Sequence, residues 1–200
     1  MKGSTDLAIG ALAPDRTEAA VGLLARAFVD DPLHEVTFGR GQLAQNEGFF
    51  RVALASMTGT KVVALENGTT LGVAHWVRSP RCQYPLHTQV MILPRMIGAV
   101  GVRPSLKVVV WLSGWSKHDP SEPHSHLGPL AVEPDAQGRG VGTRLMEHYC
   151  KELDRTGVAG FLETDKARNV RFYERFGFAV TATASILGVE NWFMRRPPQR

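Results

Sequence analysis

Residues 132–143 read Val132-Glu133-Pro134-Asp135-Ala136-Gln137-Gly138-Arg139-Gly140-Val141-Gly142-Thr143, a glycine-rich turn between two regular stretches. Upstream, His126 to Val132 predicts a strand that stops at Glu133-Pro134, because proline cannot continue pairing inside a sheet. Downstream, Val141, Leu145, Met146, Tyr149, Cys150 and Leu153 recur on one broad face and predict an amphipathic helix punctuated by Gly157. Glycines at such a junction let the backbone turn tightly and meet a ligand with no Cβ between. The first N–H groups of the helix lack internal acceptors, and the helix dipole adds partial positive charge there. Strand, turn and helix together predict a seat for a pyrophosphate, with Arg139 as a further counter-charge.

The nucleotide motifs fail on spacing. A G-x-G-x-x-G fingerprint begun at Gly138 puts Thr143 at the sixth place, and begun at Gly140 it puts Leu145 there. No Gly-Lys-Ser/Thr follows a glycine at the distance a P-loop requires.

Working outward, Gly160 to Thr164 predicts the next strand, and Asn169 to Phe176 a short helix ended by Gly177. Phe178–Ile186 and Asn191–Arg195 predict two closing strands, with a frayed tail over 197–200. Toward the N-terminus, Leu7–Leu12 predicts a first strand. A helix capped by Asp15 follows, carries Ala20, Leu23, Leu24, Ala27 and Phe28 at helical spacing, and is stopped by Asp30-Asp31-Pro32. A second helix is predicted over Leu43–Met57, then a hairpin of Lys61–Glu66 and Thr70–Val77 around Asn67-Gly68. Residues 80–120 read as a helical insert, with pieces over 85–118 broken by prolines. The fold class is therefore α/β, a mixed central sheet flanked by helices in a single domain over 1–200.

Composition bounds the function classes. At 200 residues, 44% hydrophobic and 21% charged, the chain builds a globular core without disulfide or metal. Cys82 and Cys150 show no paired framework or ligand spacing and read as reduced thiols. A net charge of +4 suits an anionic partner, but no basic run or aromatic–basic interleaving points to nucleic acid. The apolar stretch Gln89–Leu112 is interrupted by Pro94, Arg95, Arg103, Pro104 and Lys107, and Met1–Leu12 lacks the features of a signal peptide. The expectation is a cytoplasmic protein without a membrane span. His118, His124 and His126 lack a supporting carboxylate at ligand spacing in the sequence, so no metal is expected.

Gln137-Gly138-Arg139-Gly140-Val141-Gly142 resembles the Q/R-x-x-G-x-G/A signature of the GNAT superfamily of acyl-CoA-dependent N-acyltransferases. A second matching stretch lies downstream: Leu162-Glu163-Thr164, then Asn169-Val170-Arg171-Phe172-Tyr173-Glu174-Arg175-Phe176-Gly177-Phe178. Within the superfamily, Phe161–Thr164, Asn169, Phe172–Glu174, Asn191–Met194 and Ala27–Pro32 resemble the group that includes puromycin N-acetyltransferase.

The resemblance implies a splayed strand pair, acetyl-CoA as co-substrate, and a small-molecule amine acetylated by direct attack in a ternary complex. It implies that Leu130, Ala131 and Val132 pair with the pantetheine arm, with an N–H near Leu130 polarising the thioester carbonyl. Gln137, Gly138, Arg139, Gly140, Val141, Gly142 and Thr143 would hold the pyrophosphate, and Asn169 the pantetheine region. Asn169 also reads as a helix N-cap. Tyr173 is the implied acid for the departing thiolate. The base is Glu163, directly or through a water, or His126 one strand earlier. Asp30 and Asp31 read as helix-ending residues or as partners of a cationic acceptor. His75, Trp76, Trp111, Trp115 and the segment His118–His126 are candidate acceptor-pocket residues. A cysteine nucleophile has no support, since neither cysteine falls in a motif. Two other functions stay open: a peptide or protein N-acetyltransferase with an open groove, and a non-catalytic acetyl-CoA sensor. A homodimer through the closing strands fits the family.

Overall fold

The structure is a computed structural model that describes residues 7–82 and 86–199, the side chains of 86–90 apart. Seven strands make one sheet: β1 (Ala8–Ala11), β2 (Thr60–Glu66), β3 (Thr69–Arg78), β4 (His124–Val132), β5 (Ala159–Thr164), β6 (Ala179–Ile186) and β7 (Val189–Arg196). Their spatial order is β1-β2-β3-β4-β5-β7-β6. All neighbours are antiparallel except β4 and β5. The expected mixed α/β sheet is what the chain forms.

Alternation along the strands feeds two cores, one on each face. Val63, Val73, Ala131, Phe161 and Phe193 face α1 (Thr17–Phe28), α2 (Pro32–Phe38), α3 (Leu43–Ser56), α4 (Leu86–Val100) and α5 (Val102–Ser116). Val62, Ala64, Ala74, Leu127 and Leu162 face α6 (Val141–Thr156) and α7 (Ala167–Glu174). The six apolar positions foreseen on α6 are all buried, and its Tyr149 hydroxyl donates to the Ser125 carbonyl at 2.6 Å. Asn67 and Gly68, with φ of 51° and 79°, form the two-residue hairpin turn.

Several local expectations are corrected. Asp15 lies in a single 3₁₀ turn, Pro14–Arg16, and α1 starts at Thr17 without a side-chain cap. Pro32 does not merely stop a helix; it is the first residue of α2, where a missing N–H costs nothing. Pro94 sits inside α4, so proline does not divide the insert. The break comes at Gly101, whose φ of 85° lies in the left-handed region. β7 runs one residue past its predicted end, through Arg196, whose buried guanidinium pairs with Asp154 at 2.6 Å. Among the described residues no helix is long and apolar enough to cross a membrane.

Candidate active site

β4 and β5 run side by side only from His124–Leu127 against Ala159–Leu162. Beyond that point β4 continues alone against β3, while β5 continues against β7. The Glu133 N–H donates to the Leu71 carbonyl on the β3 side. Alternation along β4 turns the Ala131 N–H the same way and aims those of Leu130 and Val132 into the gap beside β5. The splayed pair is thus built into the strand register.

The gap opens onto the glycine-rich turn. Gly138 and Gly140 have φ of 76° and 86°, which only glycine adopts at little cost. Gly140 is the N-cap of α6, and no side chain caps that end. Its first N–H groups therefore face a cleft of about 390 Å³ lined by Leu130–Val132, Gln137, Gly138, Gly140–Thr143, Asn169 and Tyr173. At Gly142 an added Cβ would lie 3.5 Å from both Phe172 and Val132, so a side chain would occupy the cradle wall. Shape, bare amides and absent side chains fit a pyrophosphate and its extended arm.

Arg139 departs from expectation. Its guanidinium pairs with Glu66 at 2.6 Å and does not line the cleft. The cations at the cleft are Lys166, Arg168 and Arg175. Asn169 is not an N-cap: α7 begins two residues earlier, after Lys166. Its amide donates instead to the Thr164 hydroxyl at 3.1 Å, tying α7 to the end of β5.

A second cavity of about 200 Å³ meets the cleft at Phe28, Asp31, Leu130, Asn169 and Tyr173. Its aromatic wall includes Phe49, Phe50, Trp111 and Trp115, and Asp31, Glu163 and Asp165 supply carboxylates. His75 and His126 also line it. Trp76 does not: it packs on the opposite face of the sheet, 5.3 Å from the Tyr149 ring. His118 stacks on Phe193 at 4.0 Å.

Tyr173 stands at the junction, 8% exposed, its ring edge-on to Phe172 at 5.2 Å. Burial, then Asp31, Asp165 and Glu163, push its phenol pKa upward, so the O–H stays protonated. Glu163 and His126, weighed as rival bases, form one unit: His126 Nε2 meets Glu163 Oε2 at 2.7 Å. Glu163 Oε1 is buried without a hydrogen-bond partner among the described residues. Burial opposes the imidazolium, but Glu163 and Asp119 outweigh it and hold the His126 pKa well above the usual histidine value. Asp31, 5% exposed, is pushed up to about 7 by burial and the charge of Asp165, despite its close pairing with Lys166. Asp30 also pairs with Lys166, at 2.9 Å.

Two residues take up positions that the sequence did not assign them, because only the fold brings them in. Asp119 Oδ1 lies 3.4 Å from His126 Nδ1, so a carboxylate does accompany the histidines, contrary to expectation. Cys82 lines the acceptor cavity with its Sγ 3.5 Å from His124 Nε2. Burial opposes ionisation, yet His124 and His126 pull the thiol down to about 7.

Residues 41–178 match the family described as Acetyltransferase (GNAT) family. The chain belongs to that family. A mycothiol acetyltransferase of Propionibacterium freudenreichii subsp. shermanii is 32% identical over 74 residues, 34% of this chain and 24% of the relative. An Escherichia coli [ribosomal protein bS18]-alanine N-acetyltransferase is 40% identical over 52 residues, 24% of this chain and 35% of the relative. These matches therefore span only a quarter to a third of the relatives' length. A solved structure of the histone acetyltransferase HPA2 and related acetyltransferases from Corynebacterium glutamicum shares the fold. It has a TM-score of 0.74 and 21% identity, with 97% of each chain covered. Solved structures of this fold include ones with acetyl-CoA bound.

Proposed function

We propose that this family member transfers the acetyl group of acetyl-CoA to a primary amine of a small molecule, by direct attack in a ternary complex. The observation that carries the reading is the junction of two unlike cavities. An amide-lined cleft meets an aromatic, carboxylate-bearing cavity at Leu130, Asn169 and Tyr173. The first suits a polyanionic carrier, the second an ammonium on an apolar body.

Acetyl-CoA supplies an activated thioester carbonyl. The Leu130 N–H, aimed into the gap, donates to that oxygen as its charge grows. Glu163, with one carboxylate oxygen fixed by His126, offers the other to the ammonium and takes its proton, directly or through a water. Tyr173 donates its phenolic proton to the leaving sulfur. Asp31 and Asp165 add negative charge that favours a cationic acceptor. Residues 161–164, 169, 172–174 and 191–194 support placement beside the puromycin N-acetyltransferase-like group, without making puromycin the acceptor.

A cavity of about 200 Å³ with an aromatic lining supports a small molecule over a peptide, which needs an open groove. The test is a panel of arylalkylamines, polyamines and an alanine-terminated peptide, scored by thiol release from acetyl-CoA. Turnover of small amines alone supports the reading. Turnover of the peptide alone replaces the acceptor, and binding of acetyl-CoA without any turnover leaves a sensor module.

A further inference from the structure

Beside the acceptor cavity, among residues that do not line the cofactor cleft, three soft or borderline donors converge. Cys82, His124 and His126 each place a ligand atom within 4.8 Å of the other two. The available atoms are set by what the others already do. His124 Nδ1 is engaged by the Glu122 carbonyl at 2.9 Å, which leaves Nε2 beside the thiol. His126 Nε2 is engaged by Glu163 at 2.7 Å, which leaves Nδ1, buried and without a hydrogen bond among the described residues. Asp119 Oδ1, on a side chain 4% exposed, is buried, faces that Nδ1 at 3.4 Å and makes no hydrogen bond among the described residues. Polar atoms buried in this way ask for an explanation.

We propose that Cys82 Sγ, His124 Nε2 and His126 Nδ1 bind a zinc ion, with Glu163 and the Glu122 carbonyl orienting the two imidazoles from behind. Zn–S and Zn–N bonds in a tetrahedral site span a ligand-to-ligand edge of about 3.6 Å. The Cys82–His124 edge is 3.5 Å. A zinc-bound nitrogen and carboxylate oxygen stand about 3.4 Å apart in the same geometry, and His126 Nδ1 and Asp119 Oδ1 are separated by 3.4 Å. Asp119 groups with His126 and Glu163 rather than with the thiol, so it reaches the fourth position by side-chain rotation, and water holds that position otherwise. One thiolate with two imidazoles selects zinc over magnesium or calcium, which prefer oxygen ligands. The carbonyl and carboxylate behind the rings are what ligating histidines commonly use to fix their tautomer. Binding displaces the Cys82 S–H proton and the Nδ1 proton of His126, and both leave to solvent.

The test is Co²⁺ titration of chelator-treated full-length protein, read by absorbance, with Zn²⁺ as competitor. The proposal expects saturation at one ion per chain, tetrahedral ligand-field bands, and a near-ultraviolet thiolate charge-transfer band, all displaced by Zn²⁺. Cys82→Ser should abolish the charge-transfer band. His124→Asn should weaken binding strongly, and Glu163→Gln by about 10- to 100-fold as an orienting partner. Circular dichroism and an acetyl-CoA melting shift report whether each variant is folded, independently of metal and of turnover. Absence of saturable uptake in the parent protein would overturn the site. So would a charge-transfer band that survives in folded Cys82→Ser, or equal affinity in folded His124→Asn.

Discussion

Replacing Tyr173 with Phe removes one hydroxyl and keeps the ring in place between Phe172 and Phe178. The residue is 8% exposed, so nearly all its apolar contact survives the change. Volume and shape are conserved, and the expected change in folding stability is under about 1 kcal/mol. The cofactor cleft keeps its amides and glycines, so the acetyl-CoA melting shift should be retained. What goes is the proton donor at the sulfur. Acid catalysis by a positioned side chain contributes about 100-fold or more, and 100-fold corresponds to about 2.7 kcal/mol of barrier. Initial rates of thiol release, at saturating acetyl-CoA and an accepted amine, should therefore fall about 100-fold in kcat. Because burial and three carboxylates keep the phenol protonated, the loss should be similar across the neutral range. A kcat within about threefold of the parent, under 1 kcal/mol, would refute the assignment.

Four other outcomes follow from the geometry. Arg139→Ala should leave the acetyl-CoA KM within about twofold, because the guanidinium pairs with Glu66 outside the cleft, and should cost at most about 1 kcal/mol as a surface ion pair. A tenfold rise in KM would put Arg139 back in the cradle. Arg168→Ala should raise that KM several-fold, since its side chain lines the cleft, and an unchanged KM would remove it. Asp31 has a folded pKa of about 7 against 3.8 for the free group, so the folded state holds its proton longer than the unfolded one. Stability at this site is then highest below about pH 4 and declines as pH rises toward 7, by at most about 4 kcal/mol. Asp31→Asn should flatten the decline in melting temperature between pH 5 and 8, and an identical slope would show that Asp31 ionises normally. Gly160→Ala would set a Cβ 2.7 Å from Leu153 Cδ1 and 2.9 Å from Phe178 Cζ, and overpacking of that kind costs about 1–3 kcal/mol in a denaturant titration. An unshifted midpoint would mean that the Leu153 and Phe178 side chains move aside at little cost.

Local chemistry was legible wherever one residue type dictates one backbone state. Asn67-Gly68, Gly140, Gly157 and Gly177 all adopt the positive φ that their positions in the pattern require. The apolar face of α6 was legible for a similar reason: one strong period with no proline inside it. Proline misled the reading twice, because its effect depends on where in a helix it falls. Pro32 begins α2, and Pro94 lies within α4. Arg139 was assigned to the cradle by proximity in sequence, yet side-chain direction depends on Glu66, 73 residues away. The cluster around His126 was legible only in part. Glu163 and His126 were placed in one region as adjoining strands, but Cys82 and Asp119 lie in the connections after β3 and α5, which no local pattern ties to it. The base assignment suffered for the same reason, since Glu163 and His126 looked like rivals along the chain and are partners across the sheet.

The short β4–β5 seam has a mechanical side. Among the described residues, four paired positions stitch β1–β4 to β5, β7 and β6 within the sheet. The halves diverge past Leu127 like the jaws of a clothes-peg, and the cleft is the opening between them. A carrier arm hydrogen-bonded along Leu130–Val132 would serve as the missing rung of the ladder. Occupancy of the cleft then becomes a structural term for the whole sheet, and the amides of Leu130 and Val132 become its gauge, exchanging with solvent when the jaws are bare and slowing when they are filled.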